Sequence, residues 1–457
     1  MNQHDIKHLY WRAGFGLTPK QLQKLSAHQR DYVVSSLFDD SSTVTYLEVD
    51  TSKLNRYSAK GLLKNNKLRK EFRDLNREML KEYNVQWIKR LAQSPEVLRE
   101  RMTLFWTNHF VCRDTNMRHV QQYYNTLRSH ALGHFGDFVK AISKEPAMLK
   151  YLNNKQNRKK KPNENFAREL MELFTLGEGH YTEADIKESA RAFTGYNNTF
   201  EGQFILRERQ HDHDFKTFMG HTGRYDGDDI IDIILKQKQC AHFICRKIYS
   251  YFVNEAIDEQ HVEEMTEVFY KDYDISNLMT YVFMSDWFYR DTNKGTKIKS
   301  PVELLVGIQK IVPFRFNDSK DLFKIQKLLG QTLLNPPNVA GWKGGKSWID
   351  SNTIMIRLKL PSILLSNSEI SITEKGEFED AFEAYSKKNR RQKFVNVTVN
   401  WETFDTQFKN FNYEHLKAHI IVAKLNSGTE TYLESLKQSS KQDFCVQLMS
   451  LPEFQMC

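Results

Sequence analysis

At 457 residues, with 40% hydrophobic and 27% charged side chains, the chain has material for a large core, and no apolar run approaches the ~20 residues that cross a bilayer. The formal charge of +9 gathers in three runs, Lys64 to Arg77, Lys155 to Lys161 and Lys387 to Lys393, but no helix-turn-helix, zinc-finger or RNP-type aromatic motif accompanies any of them, so nucleic-acid binding is not expected. The five cysteines form no CxxC pair and are odd in number, and Met1 to Ile6 has neither a basic nor an apolar signal region, which together read as reduced thiols in the cytoplasm.

Helix is expected almost throughout. Thr18-Pro19 is an N-cap followed by proline, opening a helix to about Ala27. The charged stretch 59–93 reads as one long helix or two consecutive ones, and Ser94-Pro95 opens the next, to about Val111. Further helices are predicted at about 117–131, 135–143, 164–176, 182–194, 226–235, 238–253, 259–271, 275–285, 300–311, 320–329 and 351–365. Between Gly195 and Gly223 apolar and polar residues alternate between glycines, which predicts one or two short β-hairpins. A second strand-like run is Phe394 to Glu402, preceded by a linker from about Ser366 to Arg391. The fold class is therefore mainly α, a multi-helical globular domain over 1–370 with a small β-hairpin insertion near 196–220, and a C-terminal extension or subdomain over 371–457.

One predicted helix carries most of the chemistry. With about 100° per residue, Glu164, Asn165, Arg168, Glu169 and Glu172 fall in one arc, and Phe166, Ala167, Leu170, Met171, Leu173 and Phe174 fill the other side. Such an arc is either a solvated face laced by Glu164–Arg168 and Arg168–Glu172 pairs, or a site in which carboxylates exchange protons and the arginine clamps an anion. The lysine-rich run 155–161 precedes it and would steer an anionic substrate.

The segment "PNENFARELMELFTLGEGHYTEADIKESARAFTGY" resembles the signature of the bacterial domain-of-unknown-function-1800 family. So do "HLYWRAGFGLTP" from His8, "LRERMTLFWTNHF" from Leu98, "HDFKTFMG" from His213, "KSPVELLVG" from Lys299, "LLGQTLLNPPNVAGWKGGKSW" from Leu328 and "LPEFQ" from Leu451. The resemblance implies a mostly helical protein of no established activity, a sulfatase-like partner encoded nearby, and export as an alternative to a cytoplasmic location. It singles out His213, Asp214 and Lys216 within the His211–Asp212–His213–Asp214 cluster, where extended backbone sets the histidines and the aspartates on opposite sides.

A composite centre follows as an expectation. Glu169 and Glu172 would hold a divalent ion with His109 and with His213 or Asp214, although the chain has neither HExxH nor the Glu-x-x-His pairs of di-iron bundles. Without a metal, Glu164, Arg168, Glu169 and Glu172 would act as catalytic acid/base groups and clamp, with Asn165, Lys216 and Trp342 binding an anionic or sugar-containing substrate. The rival reading is a non-catalytic accessory protein for the sulfatase-like partner. Ala340 to Ser347 matches a loose Walker A pattern, but Asn335-Pro336-Pro337-Asn338 stands where the P-loop strand belongs, so a rigid turn displaying Trp342 and Trp348 is expected instead of a nucleotide site. At the N-terminus, His8 and Arg12 share a helical face, and Arg12 is expected to pair with a carboxylate of the 164–172 helix.

Overall fold

The computed structural model describes residues 1–366 and 395–457; the basic run at 387–393 and most of the predicted linker lie outside them. Among the described residues the fold is mainly α, with three small two-stranded antiparallel sheets. Its centre is the helix Val97–His109, buried along nearly every face, with Trp106 fully enclosed and its indole N–H donating to the Ala131 carbonyl at 3.0 Å. The helices Arg30–Asp40, Asn66–Gln93 and Met117–His130 pack around it.

Helix starts follow the capping chemistry. Thr18 with Gln21, Thr182 with Asp185, Asp226 with Asp229 and Ser300 with Glu303 each form a reciprocal capping box. The stretch 59–93 is two helices, Ala59–Lys64 and Asn66–Gln93, because Asn65 is extended and its side chain caps the second one. Helices Arg30–Asp40 and Pro146–Tyr151 were not predicted, and no helix among the described residues is long and apolar enough to cross a membrane.

The expected insertion is two hairpins, Tyr196–Asn198 with Phe204–Leu206 and Lys216–Phe218 with His221–Gly223. The strand-like run after Phe394 contributes Val397–Val399, which pairs with Phe314–Phe316. Lys297 and Cys457 exchange backbone hydrogen bonds of 3.1 and 2.8 Å, so the C-terminal segment is tied into the core at two separated points.

The predicted helix 164–176 needs correction. It is α-helical only over Asn165–Glu169 and becomes a π-helix over Leu170–Thr175. Leu176 N–H reaches back five residues to the Met171 carbonyl at 2.8 Å. Each residue of the wider coil turns through less than the α-helical angle, so Glu172 falls behind the arc drawn from Glu164.

Candidate functional site

The predicted carboxylate face is half-buried and largely paired. Arg168 donates to both oxygens of Glu183 at 3.0 and 3.1 Å and to Glu164 at 3.4 Å, fastening the stretch to the start of the helix Glu183–Ala192. Glu172 accepts from the Tyr181 hydroxyl at 2.9 Å, and Asn165 is exposed. Glu169 holds its proton more tightly than an ordinary glutamate, because it is partly buried and beside Glu172. The guanidinium expected to clamp a substrate is therefore already forked onto Glu183.

On the other side of the stretch the π-helix turns its carbonyls toward two distant side chains. His109 Nε2 lies 3.0 Å from the Phe174 carbonyl, and Lys247 Nζ donates to the Leu173 carbonyl at 2.9 Å. A carbonyl only accepts, so Nε2 carries the proton and Nδ1 is left as the acceptor facing Lys247 Nζ, 3.4 Å away. Burial first, and the neighbouring ammonium second, push the His109 pKa well below its ordinary value, which keeps the ring neutral. Burial also lowers Lys247 to about 8. Among the described residues no carboxylate pairs with Lys247, whose ammonium also lies over the Phe243 ring, 4.5 Å from its centroid.

Both residues line a cleft of about 440 Å³, within the usual range of small-molecule sites. Three of the quoted sequence blocks meet there: Asn108 and His109 from the first, Ser300 and Glu303 from the second, and Gln331, Gly345 and Trp348 from the third. Asn108 fixes the overlying loop by a two-point clamp, accepting from Trp342 N–H at 2.8 Å and donating to Trp342 C=O at 3.0 Å. Close approach is possible because Gly341 and Gly345 have positive φ and no side chain; a Cβ on Gly345 would stand 2.1 Å from a Glu255 oxygen.

The cleft floor is ionic. Glu303 accepts from Lys297 at 2.8 Å and pairs with the buried Arg101, while Arg101 and Lys297 lie over the Tyr251 ring at 4.8 and 3.9 Å. Burial alone would raise the Glu303 pKa, but Arg101 and Lys297 outweigh it and hold the carboxyl well below the usual range. Burial, with Arg101 adding to it, lowers Lys297 to about 8. Behind this floor sit Arg12, Lys299 and Arg357, all buried, each of them acted on by the negative charge of Glu303.

The remaining predicted residues are placed elsewhere. His213 and Asp214 are exposed, pairing with Glu208 at 3.3 Å and Lys159 at 3.1 Å. The two neighbours set aside, His211 and Asp212, are the buried ones, bonded to the Thr194 carbonyl and to Arg191. Lys216 is buried and gives its protons to the Asp212 and Asp214 carbonyls at 2.6 and 3.1 Å, so its ammonium is committed to the turn. Trp342 is buried by the Asn108 clamp, and Trp348 is the tryptophan that lines the cleft. Among the described residues, no group of three or more His, Cys, Asp or Glu side chains stands ready to hold a metal ion. Arg12 does not reach the 164–172 stretch; it donates to the Asn293 carbonyl at 2.7 Å and to Thr296 Oγ1 at 3.3 Å. The loop Ala340 to Ser347 has no strand before it and ends in a short 3-10 turn, Gly345–Trp348. Lys247 and Lys297 were missed, since a lone charge on an amphipathic helix or loop carries no local mark of burial.

Fold and cleft together define a mainly helical protein with a polar, lysine-bearing pocket under a glycine-rich loop. The chain belongs to the family described as Protein of unknown function (DUF1800), which matches residues 8–456. Comparisons with curated proteins and with solved structures give no match.

Proposed function

We propose that the chain is an enzyme that works by acid/base chemistry on a small anionic or sugar-containing substrate, bound in the cleft beneath the 340–348 loop. The observation that carries this reading is Lys247, an amine held by the Leu173 carbonyl beside His109, with no carboxylate partner among the described residues, whose pKa of about 8 lets it accept and return a proton near neutral pH. His109 Nδ1 orients the ammonium and Phe174 fixes the ring, so proton transfer has a defined direction. Lys297 keeps N–H donors beyond the one given to Glu303, and with Arg101 behind it supplies the field that draws an anionic group to the floor. Trp348 offers an apolar wall to the face of a sugar ring. The carboxylates at 164–172 enter through the π-helix, whose carbonyls position Lys247 and His109, with Glu169 as a second proton-holding group on its outer side.

The test is lysine reactivity followed by turnover. Acetylation of the full chain with an N-hydroxysuccinimide ester, read residue by residue by mass spectrometry, should show Lys247 titrating near pH 8. A panel of phosphorylated and acidic sugars should contain at least one compound turned over by the native chain and not by Lys247→Met. A Lys247 midpoint above pH 10, matching exposed lysines, would remove the basis of the proposal.

A further inference from the structure

A second concavity, distinct from the cleft and larger at about 1130 Å³, lies between the N-terminal helices Gln3–Arg12 and Pro19–Ser26 and the C-terminal helices Trp401–Gln407 and Tyr413–Ile420. Its wall carries Lys7, Lys20, Lys294, Lys409 and Lys424, and among the described residues Asp291 is the only acidic side chain lining it. Two of these lysines are occupied, Lys7 by the Ala418 carbonyl and Lys294 by Asp5 at 2.7 Å and Asp291 at 3.5 Å. Lys20, Lys409 and Lys424 are exposed and make no ion pair among the described residues. At the base of the groove His419 is nine-tenths buried between the Phe408 and Phe411 rings, with its Nδ1 enclosed and without a hydrogen-bond partner.

We infer that this groove binds a small ligand carrying several anionic groups of the phosphate or sulfate type. Like charges do not collect around a concavity without raising one another's free energy, and a multivalent anion that meets several ammonium groups at once relieves that repulsion. The volume exceeds what one inorganic phosphate fills and slightly exceeds the ~300–1,000 Å³ of ordinary ligand pockets, which suits several charged groups on one scaffold. The lysines already act on the groove's own imidazoles: His4 is lowered by burial and then by Lys7 and Lys294, and His419 is lowered to about 4 by burial and then by Lys7.

Calorimetric titration of the full chain with tripolyphosphate and, separately, with sucrose octasulfate at about 20 mM salt tests this, since screening is weak there. Binding of either probe is expected, and which one binds tells a phosphate ligand from a sulfated sugar. Replacing Lys20, Lys409 and Lys424 together by Gln should weaken binding about tenfold or more, whereas replacing exposed Lys64, Lys67 and Lys70 by Gln, which removes the same charge from the helical region at 59–93, should leave it unchanged. Failure of both probes to bind, or equal weakening by the two lysine triples, would overturn the inference. Neither outcome touches Lys247, so the fate of the acid/base cleft is read independently.

Discussion

Replacing Asn108 by Ala should unlock the 338–348 loop without unfolding the protein. The amide makes two hydrogen bonds to the Trp342 backbone, 2.8 Å to the N–H and 3.0 Å to the C=O. Each has a net value of about 1 kcal/mol, and leaving the shielded N–H and C=O unpaired adds to that, so the free energy of local opening should fall by about 3 kcal/mol. Hydrogen exchange at the Trp342 amide should then accelerate by roughly a hundredfold, while the Val97–His109 helix keeps its protection. Asn108→Asp should do no better, because a carboxylate accepts from the N–H but sets an oxygen against the Trp342 carbonyl. Gly341→Ala attacks the same contact from the loop side: φ is +77°, and the added Cβ would stand 2.3 Å from Asn108 Oδ1 and 2.9 Å from Val111 Cγ2. Left-handed backbone costs a non-glycine residue about 1–2 kcal/mol in either background, but the Asn108 clash disappears once the amide is gone. The double variant should therefore open more easily than the native loop by less than the sum of the single effects, with a shortfall of about 1 kcal/mol. Strict additivity, or native exchange at Trp342 in Asn108→Ala, would show that the clamp does not hold the loop.

Helix boundaries were legible because caps are local: Thr18-Pro19, Thr182 with Asp185 and Ser300 with Glu303 write their own geometry into the nearest few residues. The hairpins near 196–223 were legible from alternation and glycine for the same reason. The π-helix was not, since its carbonyls are held by His109 and Lys247, residues 65 and 74 positions from their acceptors. Alternation would set His211 with His213 and Asp212 with Asp214, but burial divides the cluster into adjacent pairs, because Thr194 and Arg191 draw His211 and Asp212 inward and leave His213 and Asp214 exposed. Glu303 shows how one local role hides another: its Oε2 accepts from Ser300 N–H at 2.5 Å in the capping box, and its Oε1 accepts from Lys297 at 2.8 Å in the cleft floor. Only the first is written in adjacent sequence. The candidate cleft was thus half-visible, through Asn108, His109 and the glycine-rich loop, and its lysines appear once helices far apart in the chain are packed together.

Glu303→Gln leaves Arg101 and Lys297 buried without their carboxylate and should destabilise the fold by about 3–5 kcal/mol in chemical denaturation, more than removing any exposed ion pair such as Arg168–Glu164. Lys346→Ala, on the exposed loop surface, should change stability by no more than about 0.5 kcal/mol, whereas Trp342→Ala should cost roughly 3–5 kcal/mol because that ring is buried; equal melting temperatures for the two would contradict the loop's packing. Glu145 supplies a prediction with a definite sign. Burial raises its pKa to about 7 from the ordinary 4.5, against hydrogen bonds from Thr126 and Gln122, and Oε2 has no partner. Between those two values the folded chain holds a proton that the unfolded chain has released, so this group's contribution is fully present below pH 4.5 and is lost as pH rises through about 7. The loss is on the order of 3 kcal/mol at most, from 1.36 kcal/mol per pKa unit. Glu145→Gln stays neutral at every pH and keeps an oxygen to accept from Thr126 Oγ1, which now donates at 2.6 Å. Melting temperatures of the two proteins should therefore agree near pH 4.5 and diverge up to pH 8, with the variant the more stable; parallel curves across that range would mean that Glu145 is ionised in the folded state.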